Sequence, residues 1–221
     1  MEIFLKILAC IAIGYVLGMI HPSYIIAKVK KRDIKNEGTK NYGTSNTFIL
    51  IGKGWGALVG VIDIGKGALA TLIPMWIFPD ISYLPYIAGS MAVIGHIFPF
   101  YMHFDGGKGF AAYIGMMMAI CWWFGLIVLV VMVALTFAIN YMITSTMTVI
   151  ISFPIFVACY FHNWIGFGVV LFTTCIIIYK HIPNFKKIKE GTEPKVRAMF
   201  AKKKIALHKD ELEEEKSTNE E

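Results

Sequence analysis

Apolar residues run in long stretches broken by short polar segments, and the lengths of those stretches set the expected fold. A helix needs about 20 mostly apolar residues to cross a bilayer. Candidate stretches fall at about residues 3–27, 54–78, 84–104, 145–161 and 165–180. The stretch 110–140 is too long for one comfortable helix. It splits near Cys121 and Trp122 into a short fourth span and a full fifth. The pattern therefore predicts an all-α, polytopic integral membrane protein with seven transmembrane helices. The first stretch is too long for a cleaved signal peptide and lacks its charged n-region. Polar residues dominate 28–46 and everything after 185. The chain is thus expected to divide into a seven-helix membrane domain, 1–185, and a cytoplasmic tail, 186–221, basic then acidic and partly disordered.

Composition agrees with this pattern. Of 221 residues, 57% are hydrophobic and 16% charged, and mean hydropathy is +0.62. Soluble domains are nearer 45–50% apolar and about 25% charged. An ordinary soluble enzyme and a disordered chain are both excluded. The net charge of +6 does not imply nucleic acid, because its clustering follows membrane topology. Lys28, Lys30, Lys31, Arg32, Lys35 and Lys40 lie in the first loop, and Lys186, Lys187, Lys189 and Lys202 to Lys204 in the tail. The links at 79–83, 121–122 and 162–164 carry no Lys or Arg. The positive-inside rule then places the first loop and the C-terminus in the cytoplasm and the N-terminus outside. Six spans would leave one basic segment outside, which favours the split at Trp122. Cys10, Cys121, Cys159 and Cys175 lie in apolar runs without metal-ligand spacing and read as small buried side chains; no metal site is expected.

Ionisable groups inside spans are functional candidates. Asp63 and Lys66, three apart on one helix face, can form an ion pair that orients a helix end. Alternatively, with Gly65 and Gly67 beside them, they admit a phosphate or a backbone. Gly-Lys-Gly occurs at 52–54, 65–67 and 107–109. Glycine amides and a lysine ammonium are what a phosphate needs. The run Gly60-Val-Ile-Asp-Ile-Gly65-Lys66-Gly67 approaches a Walker A pattern, but ends in Gly where Ser or Thr must hold magnesium. It is not read as a nucleotide site. His96 and His103 are seven apart near the end of the third span. His181 and Asn184 are three apart where the last span leaves the membrane. His21, before Pro22, reads as isolated and structural. Neither a His-x-x-x-x-Asp motif nor a Gly-x-Ser-x-Gly elbow occurs. The residues show phosphate-binding parts without a conventional nucleophile.

In this order, the motifs resemble those of the bacterial acyl-phosphate:glycerol-3-phosphate acyltransferases of the PlsY type. The first motif of that family resembles Gly38-Thr39-Lys40-Asn41-Tyr42-Gly43-Thr44-Ser45-Asn46, followed by Gly52 and Gly56. The second matches Asp63-Ile64-Gly65-Lys66-Gly67. The third matches Gly95-His96-Ile97-Phe98-Pro99 and Gly106-Gly107-Lys108-Gly109. The closing His-x-x-Asn resembles His181 to Asn184, with Gly191-Thr192-Glu193 after it. The resemblance spans about residues 4–195.

It implies a multi-pass protein of the bacterial plasma membrane with its active site facing the cytoplasm. It implies transfer of an acyl chain from a fatty acyl phosphate to the 1-hydroxyl of glycerol 3-phosphate, giving lysophosphatidate, the first step of phospholipid synthesis. No cofactor is implied. Lys108, His181, Asn184 and Thr39 are the expected catalytic residues. Gly38, Lys40, Asn41, Gly43, Ser45, Asn46, Asp63, Lys66, Gly67, His96, Gly106, Gly107 and Gly109 are expected to bind substrate. The expected partners are the acyl phosphate, the acceptor, membrane lipids, and the soluble enzyme that makes the acyl phosphate. The chain also departs from the family pattern. Ile49 stands where the family carries an Arg for the acceptor phosphate, and Lys40 where it carries Gly. Thr39 replaces a serine, Asp33-Ile34-Lys35 an Asp-x-Arg, and His21-Pro22 a Gly-Ser near Pro. Two other readings stay open: a paralogue with a different hydroxyl acceptor, and a non-enzymatic membrane protein binding a lipid or an anion.

Overall fold

In the computed structural model of the chain, residues 1–193 and 195–197 are described, and every regular element among them is helical. The helices are α1 (Glu2–Gly18), α2 (Pro22–Val29), α3 (Thr44–Leu50), α4 (Lys53–Ile77), α5 (Leu84–Ile97), α6 (Phe110–Ile120), α7 (Trp122–Ile139), α8 (Met142–Phe161) and α9 (Trp164–Lys189), with a 3₁₀ turn at Phe100–Met102. Among the described residues, six stretches are long and apolar enough to cross a membrane: Glu2–Val29, Lys53–Ile77, Leu84–Met102, Trp122–Ile139, Met142–Phe161 and Trp164–Lys189. Phe110–Ile120 is apolar but short. The split of 110–140 falls at Cys121, whose extended backbone (φ −153°) ends α6 and opens α7.

Three boundaries differ from the sequence reading, two of them at a proline. The first stretch breaks before Pro22, which restarts the chain as α2. A residue preceding proline is held out of the α region, and His21 adopts φ −112°, ψ 88°. The third span ends at Ile97 because Pro99 follows it. His103 lies beyond it in the left-handed region (φ 53°), so His96 and His103 share no helix face. The last span runs on past 180, through Pro183, to Lys189. The boundary expected at 185 therefore falls inside α9. Neighbouring helices re-satisfy the backbone freed by a proline in a span. Most of the expected tail, 198–221, lies outside the described residues. Cys159 and Cys175 are exposed, not buried, on the outer faces of α8 and α9.

The core forms around α5, which is buried from Leu84 to Ile97 on almost every face. Its small residues let α1 approach closely. A Cβ at Gly14 or Gly18 would strike the backbone of Ala88 or Ala92. The crossing of α4 and α6 repeats the device, with Gly67 against Ala112 and Gly115 against Ile64. Lipid tails do not drive apolar helices together, so such close backbone contact holds the bundle.

Helix lengths then fix depth. α6 has 11 residues and α7 has 18, and they share the turn at Cys121. At about 1.5 Å per residue, the start of α6 lies about 10 Å deeper than the end of α7. Lys66 lies 11 residues from the end of α4, and His96 12 residues from the start of α5. Both therefore stand about 17–18 Å from the far ends of their helices, level with the start of α6. The glycine-rich loop 103–109 is recessed into the bundle at that level.

Gly18→Val and Gly67→Val are each expected to lower the melting temperature in detergent, by an overpacking cost of about 1–3 kcal/mol. Gly65, with open space around it, is the control: Gly65→Ala is expected to leave the melting temperature unchanged or raised.

Candidate active site

The recessed level is organised by one ammonium. Lys66 Nζ reaches Asp63 Oδ1 at 2.7 Å, the Ile20 carbonyl at 2.6 Å and His96 Nδ1 at 2.8 Å. All three of its N–H bonds are thereby taken up. Lys66 is 4% exposed and Asp63 1%. The Ile20 carbonyl is available because Pro22 interrupts the first span. His96 presents its unprotonated Nδ1 to the ammonium, and its carbonyl accepts from His21 Nε2 at 2.7 Å. The two imidazole rings lie 4.4 Å apart. His21, which reads as isolated in sequence, thus belongs to this cluster.

The glycine-rich loop hangs from the end of α5. Gly106 N–H donates to Ile97 O at 3.0 Å and Gly107 N–H to His96 O at 3.1 Å. A side chain at Gly106 would strike the His96 carbonyl and the His21 ring. One at Gly107 would strike the His96 ring and the Tyr42 carbonyl. Gly109, at φ 84°, takes the left-handed turn that opens α6. These glycines permit close packing, and the amides of Gly106 and Gly107 are already bonded.

Asn46 organises the first-motif loop in the same way. Its Nδ2 donates to the carbonyls of Ile34 (2.6 Å), Glu37 (3.2 Å) and Asn41 (3.0 Å), and its Oδ1 accepts from Thr39 N–H at 2.8 Å. Gly38 sits against that Oδ1 at φ 61°. Thr39 Oγ1 donates to Asn41 Oδ1 at 3.2 Å. Gly43 precedes α3, which has no side-chain cap. Lys40 is exposed on this loop and Ser45 in the first turn of α3. Lys35 ties the loop to the third motif through an ion pair with Asp105, which Lys180 of α9 also approaches at 3.9 Å.

The fourth segment joins through Lys108. Its ammonium donates to Asn184 Oδ1, and Asn184 Nδ2 donates to Glu193 Oε1 at 2.8 Å. His181, one turn earlier, donates from Nδ1 to Ile177 O at 2.8 Å. That leaves Nε2 as its basic nitrogen. Burial pushes the Lys108 ammonium down from the ordinary lysine range to about 8. The negative charge of Glu193 opposes the shift, while Lys187 and Lys180 add to it.

All four motif segments therefore meet at one end of the bundle, but not as one phosphate cradle of three Gly-Lys-Gly repeats. Lys53 and Lys66 are about 20 Å apart along α4, and the Lys66 ammonium has no donor left for an anion. Gly67 serves the crossing with α6. Asp63, Lys66, His96 and Asn46 are buried; Lys66, His96 and Asn46 are hydrogen-bonded inside the protein, and Asp63 Oδ1 meets Lys66 and His96 as an ion-pair partner without a hydrogen bond. Lys108, Thr39, Asn41 and Asn184 are partly buried and Lys40 and Ser45 are exposed, while His181 is buried. Sequence reasoning gave no role to Asp105 or Lys180 and read His21 as structural. As site residues, Lys35 and Glu193 appeared only inside motifs, Lys35 in the stretch that replaces an Asp-x-Arg and Glu193 in the Gly-Thr-Glu run after Asn184.

Comparison with known proteins decides the family. The glycerol-3-phosphate acyltransferase family model matches residues 8–191. The chain belongs to this family. It is 37% identical over 199 residues to glycerol-3-phosphate acyltransferase 1 of Oceanobacillus iheyensis, covering 86% of this chain and 95% of that one. It is 35% identical over 197 residues to the glycerol-3-phosphate acyltransferase of Bacillus subtilis, covering 85% and 96%. Among solved structures, it is similar to PlsY, an integral membrane glycerol 3-phosphate acyltransferase, in its glycerol 3-phosphate form. The TM-score is 0.81 and the identity 28%, over 86% of this chain and 94% of that one. The lysophosphatidic acid form of PlsY matches with a TM-score of 0.78. This family member is a multi-span membrane protein and an acyltransferase, which sets aside the non-enzymatic reading.

The buried cluster supplies the test of what Lys66 does. Lys66→Met strands Asp63 and is expected to cost about 3–5 kcal/mol. The double variant Asp63→Asn with Lys66→Met is expected to regain most of that stability. Melting temperatures in detergent check both. An unchanged melting temperature for Lys66→Met would show that Lys66 serves a ligand instead of the fold.

Proposed function

We propose that this acyltransferase moves a fatty acyl group from an acyl phosphate to the 1-hydroxyl of glycerol 3-phosphate, giving lysophosphatidate. The observation that carries the reading is the Lys108 ammonium, held by Asn184 where loop and α9 meet, beside the basic nitrogen of His181. An acyl phosphate is a mixed anhydride and already activated. The site has to hold phosphate, place a hydroxyl and stabilise negative charge as the carbonyl is attacked. A buried ammonium does the first and last of these more strongly than an exposed one. Thr39, Asn41, Ser45 and the amides opening α3 would bind the rest of the substrate. Asp63, Lys66, His96 and Asn46 act one step back, fixing the loops that carry these groups. No cofactor is needed, because the donor brings its own leaving group.

The lysine-rich first loop supports a cytoplasmic position for this end of the bundle, by the positive-inside rule, with the N-terminus outside. A bacterial plasma membrane is the matching location, and a soluble enzyme making acyl phosphate would deliver the donor on that face. A second reading keeps the donor and changes the acceptor. It rests on Ile49, a half-exposed apolar side chain on α3 where an arginine would grip the acceptor phosphate with two hydrogen bonds.

The deciding experiment supplies the purified protein with palmitoyl phosphate and follows phosphate release with and without glycerol 3-phosphate. Release that depends on glycerol 3-phosphate, with lysophosphatidate as product, is expected. Slow release indifferent to glycerol 3-phosphate would favour the second reading. Lys108→Ala is expected to lose at least about a hundredfold in turnover, the scale of one lost transition-state donor. The pH dependence carries a sign. Lys108 is charged below about 8, so the KM for palmitoyl phosphate should rise as pH passes upward through that value. Lys108→Arg, charged throughout, should remove that rise even if its turnover is low.

A further inference from the structure

α8 carries a proline, Pro154, in its interior. A proline has no N–H, so the carbonyl four residues earlier, Ile150 O, loses its helical donor. Two hydroxyls from other helices replace it. Tyr113 of α6 donates to Ile150 O at 3.0 Å, and Thr174 Oγ1 of α9 reaches the same oxygen at 3.2 Å. The two hydroxyls also meet each other at 2.7 Å. All three residues are buried. The Tyr113 ring packs edge-on against Phe153.

One donor would satisfy the carbonyl. The second hydroxyl, and the contact between the two, are more than the backbone of α8 needs. What they add is a link between α6 and α9. α9 packs along α8 and α5. Toward α6 and the loop before it, α9 makes three polar contacts among the described residues: Lys180 with Asp105, Asn184 with Lys108, and Thr174 with Tyr113. The first two lie at the open end of the bundle, where Asp105 is exposed and Lys180, Asn184 and Lys108 are only partly buried. The third alone is buried on both sides. Thr174, Ile177, His181 and Asn184 follow one another at intervals of three, four and three residues, so they share one face of α9. Tyr113 stands five residues after Lys108, its N–H bonded to Gly109 O at 3.0 Å. Apolar packing lets two helices slide, whereas a fully satisfied buried polar network specifies one arrangement.

We propose that Tyr113 and Thr174 are positioning residues, whose contact fixes the height of the His181–Asn184 turn of α9 against Lys108. The proposal rests on the acyl-transfer reading above. Neither side chain touches substrate. Loss of the contact leaves Lys108 on its loop, tied to α5, but lets His181 and Asn184 shift with α9. Turnover then falls more than donor binding does.

The test uses the full-length protein in detergent, with palmitoyl phosphate and glycerol 3-phosphate. It compares Tyr113→Phe, Thr174→Val, the double variant and Thr174→Ser. Tyr113→Phe keeps the ring against Phe153, and each single variant leaves one hydroxyl on Ile150 O. The singles are therefore expected to melt close to wild type, and the double, which strands that carbonyl, to melt earlier. Either single already breaks the Tyr113–Thr174 contact. Each is expected to lose about tenfold in kcat, within the hundredfold that a displacement of about 1 Å can cost, with the KM for palmitoyl phosphate little changed. Per folded molecule, the double should lose no more kcat than the singles. Thr174→Ser keeps a hydroxyl and should turn over near wild type. Near-normal kcat in either Tyr113→Phe or Thr174→Val would overturn the proposal. So would a loss confined to the double, which would give the hydroxyls to the Ile150 carbonyl alone. If Tyr113→Phe melts early, Thr174→Ser decides: kcat clearly above that of Thr174→Val supports the positioning role, and kcat no better overturns it. A wild-type protein with no acceptor-dependent release would instead sink the acyl-transfer reading, and this proposal with it.

Discussion

An irregular loop set inside a membrane bundle has to satisfy its own backbone, because no lipid will do it. Here the burden falls on loop 103–109 and on the break between α1 and α2, which stand at the same depth. One ammonium closes both. Lys66 takes the carbonyl freed at Ile20 and the His96 ring, and the His96 carbonyl accepts from Gly107 and His21. Without Asp63 that ammonium would be an unpaired charge in a dry core. The glycines of the second and third motifs follow from this arrangement, since no Cβ fits between helices and loops packed so closely.

The same geometry divides the labour of the two motif lysines. Lys66 is fully bonded and holds the scaffold. Lys108, on the loop so held, keeps a single side-chain partner and faces Asn184, His181 and Glu193. An ammonium that burial brings to about 8 is poorly solvated, and so binds an entering phosphate more strongly than a surface lysine does. Its placement depends on backbone bonds from Gly106 and Gly107 to the end of α5. Damage to the buried cluster would therefore reach the chemistry through the loop, without any contact with substrate.

Much of this fold was legible from hydropathy, because apolar length is a strong signal and the split at Cys121 satisfied both length and charge. Two misplaced boundaries fell at Pro22 and Pro99, where hydropathy continues but backbone geometry changes; at the end of α9 the apolar run stops near residue 180 while the helix continues to Lys189. For the site, the pattern gave the segments that meet but not their division into holders and reactants. Spacing put Asp63 and Lys66 on one helix face, yet only the packed bundle shows His96 and Ile20 completing the ammonium. Asn46 was expected among the substrate ligands from the motif; its four bonds go to loop residues, whose fold no periodicity predicts. His21 and Glu193 are single residues whose meaning comes from partners 75 and 9 positions away.

The departures at the first motif bear on the acceptor. On the proposed reaction, its phosphate needs a cation near α3, and Ile49 offers none. Arg32 is paired with Glu37 and Lys35 with Asp105, while Lys28 and Lys30 lie over the rings of Tyr24 and Trp55. Lys40 lies inside the motif, exposed, on a left-handed backbone (φ 58°) within a run of turns and bends. A lysine there supplies a point charge on a flexible stem, where an arginine supplies a fixed two-pronged donor. It can attract a phosphate without dictating its angle. On that reading, orientation of the acceptor comes from its other end, the hydroxyl.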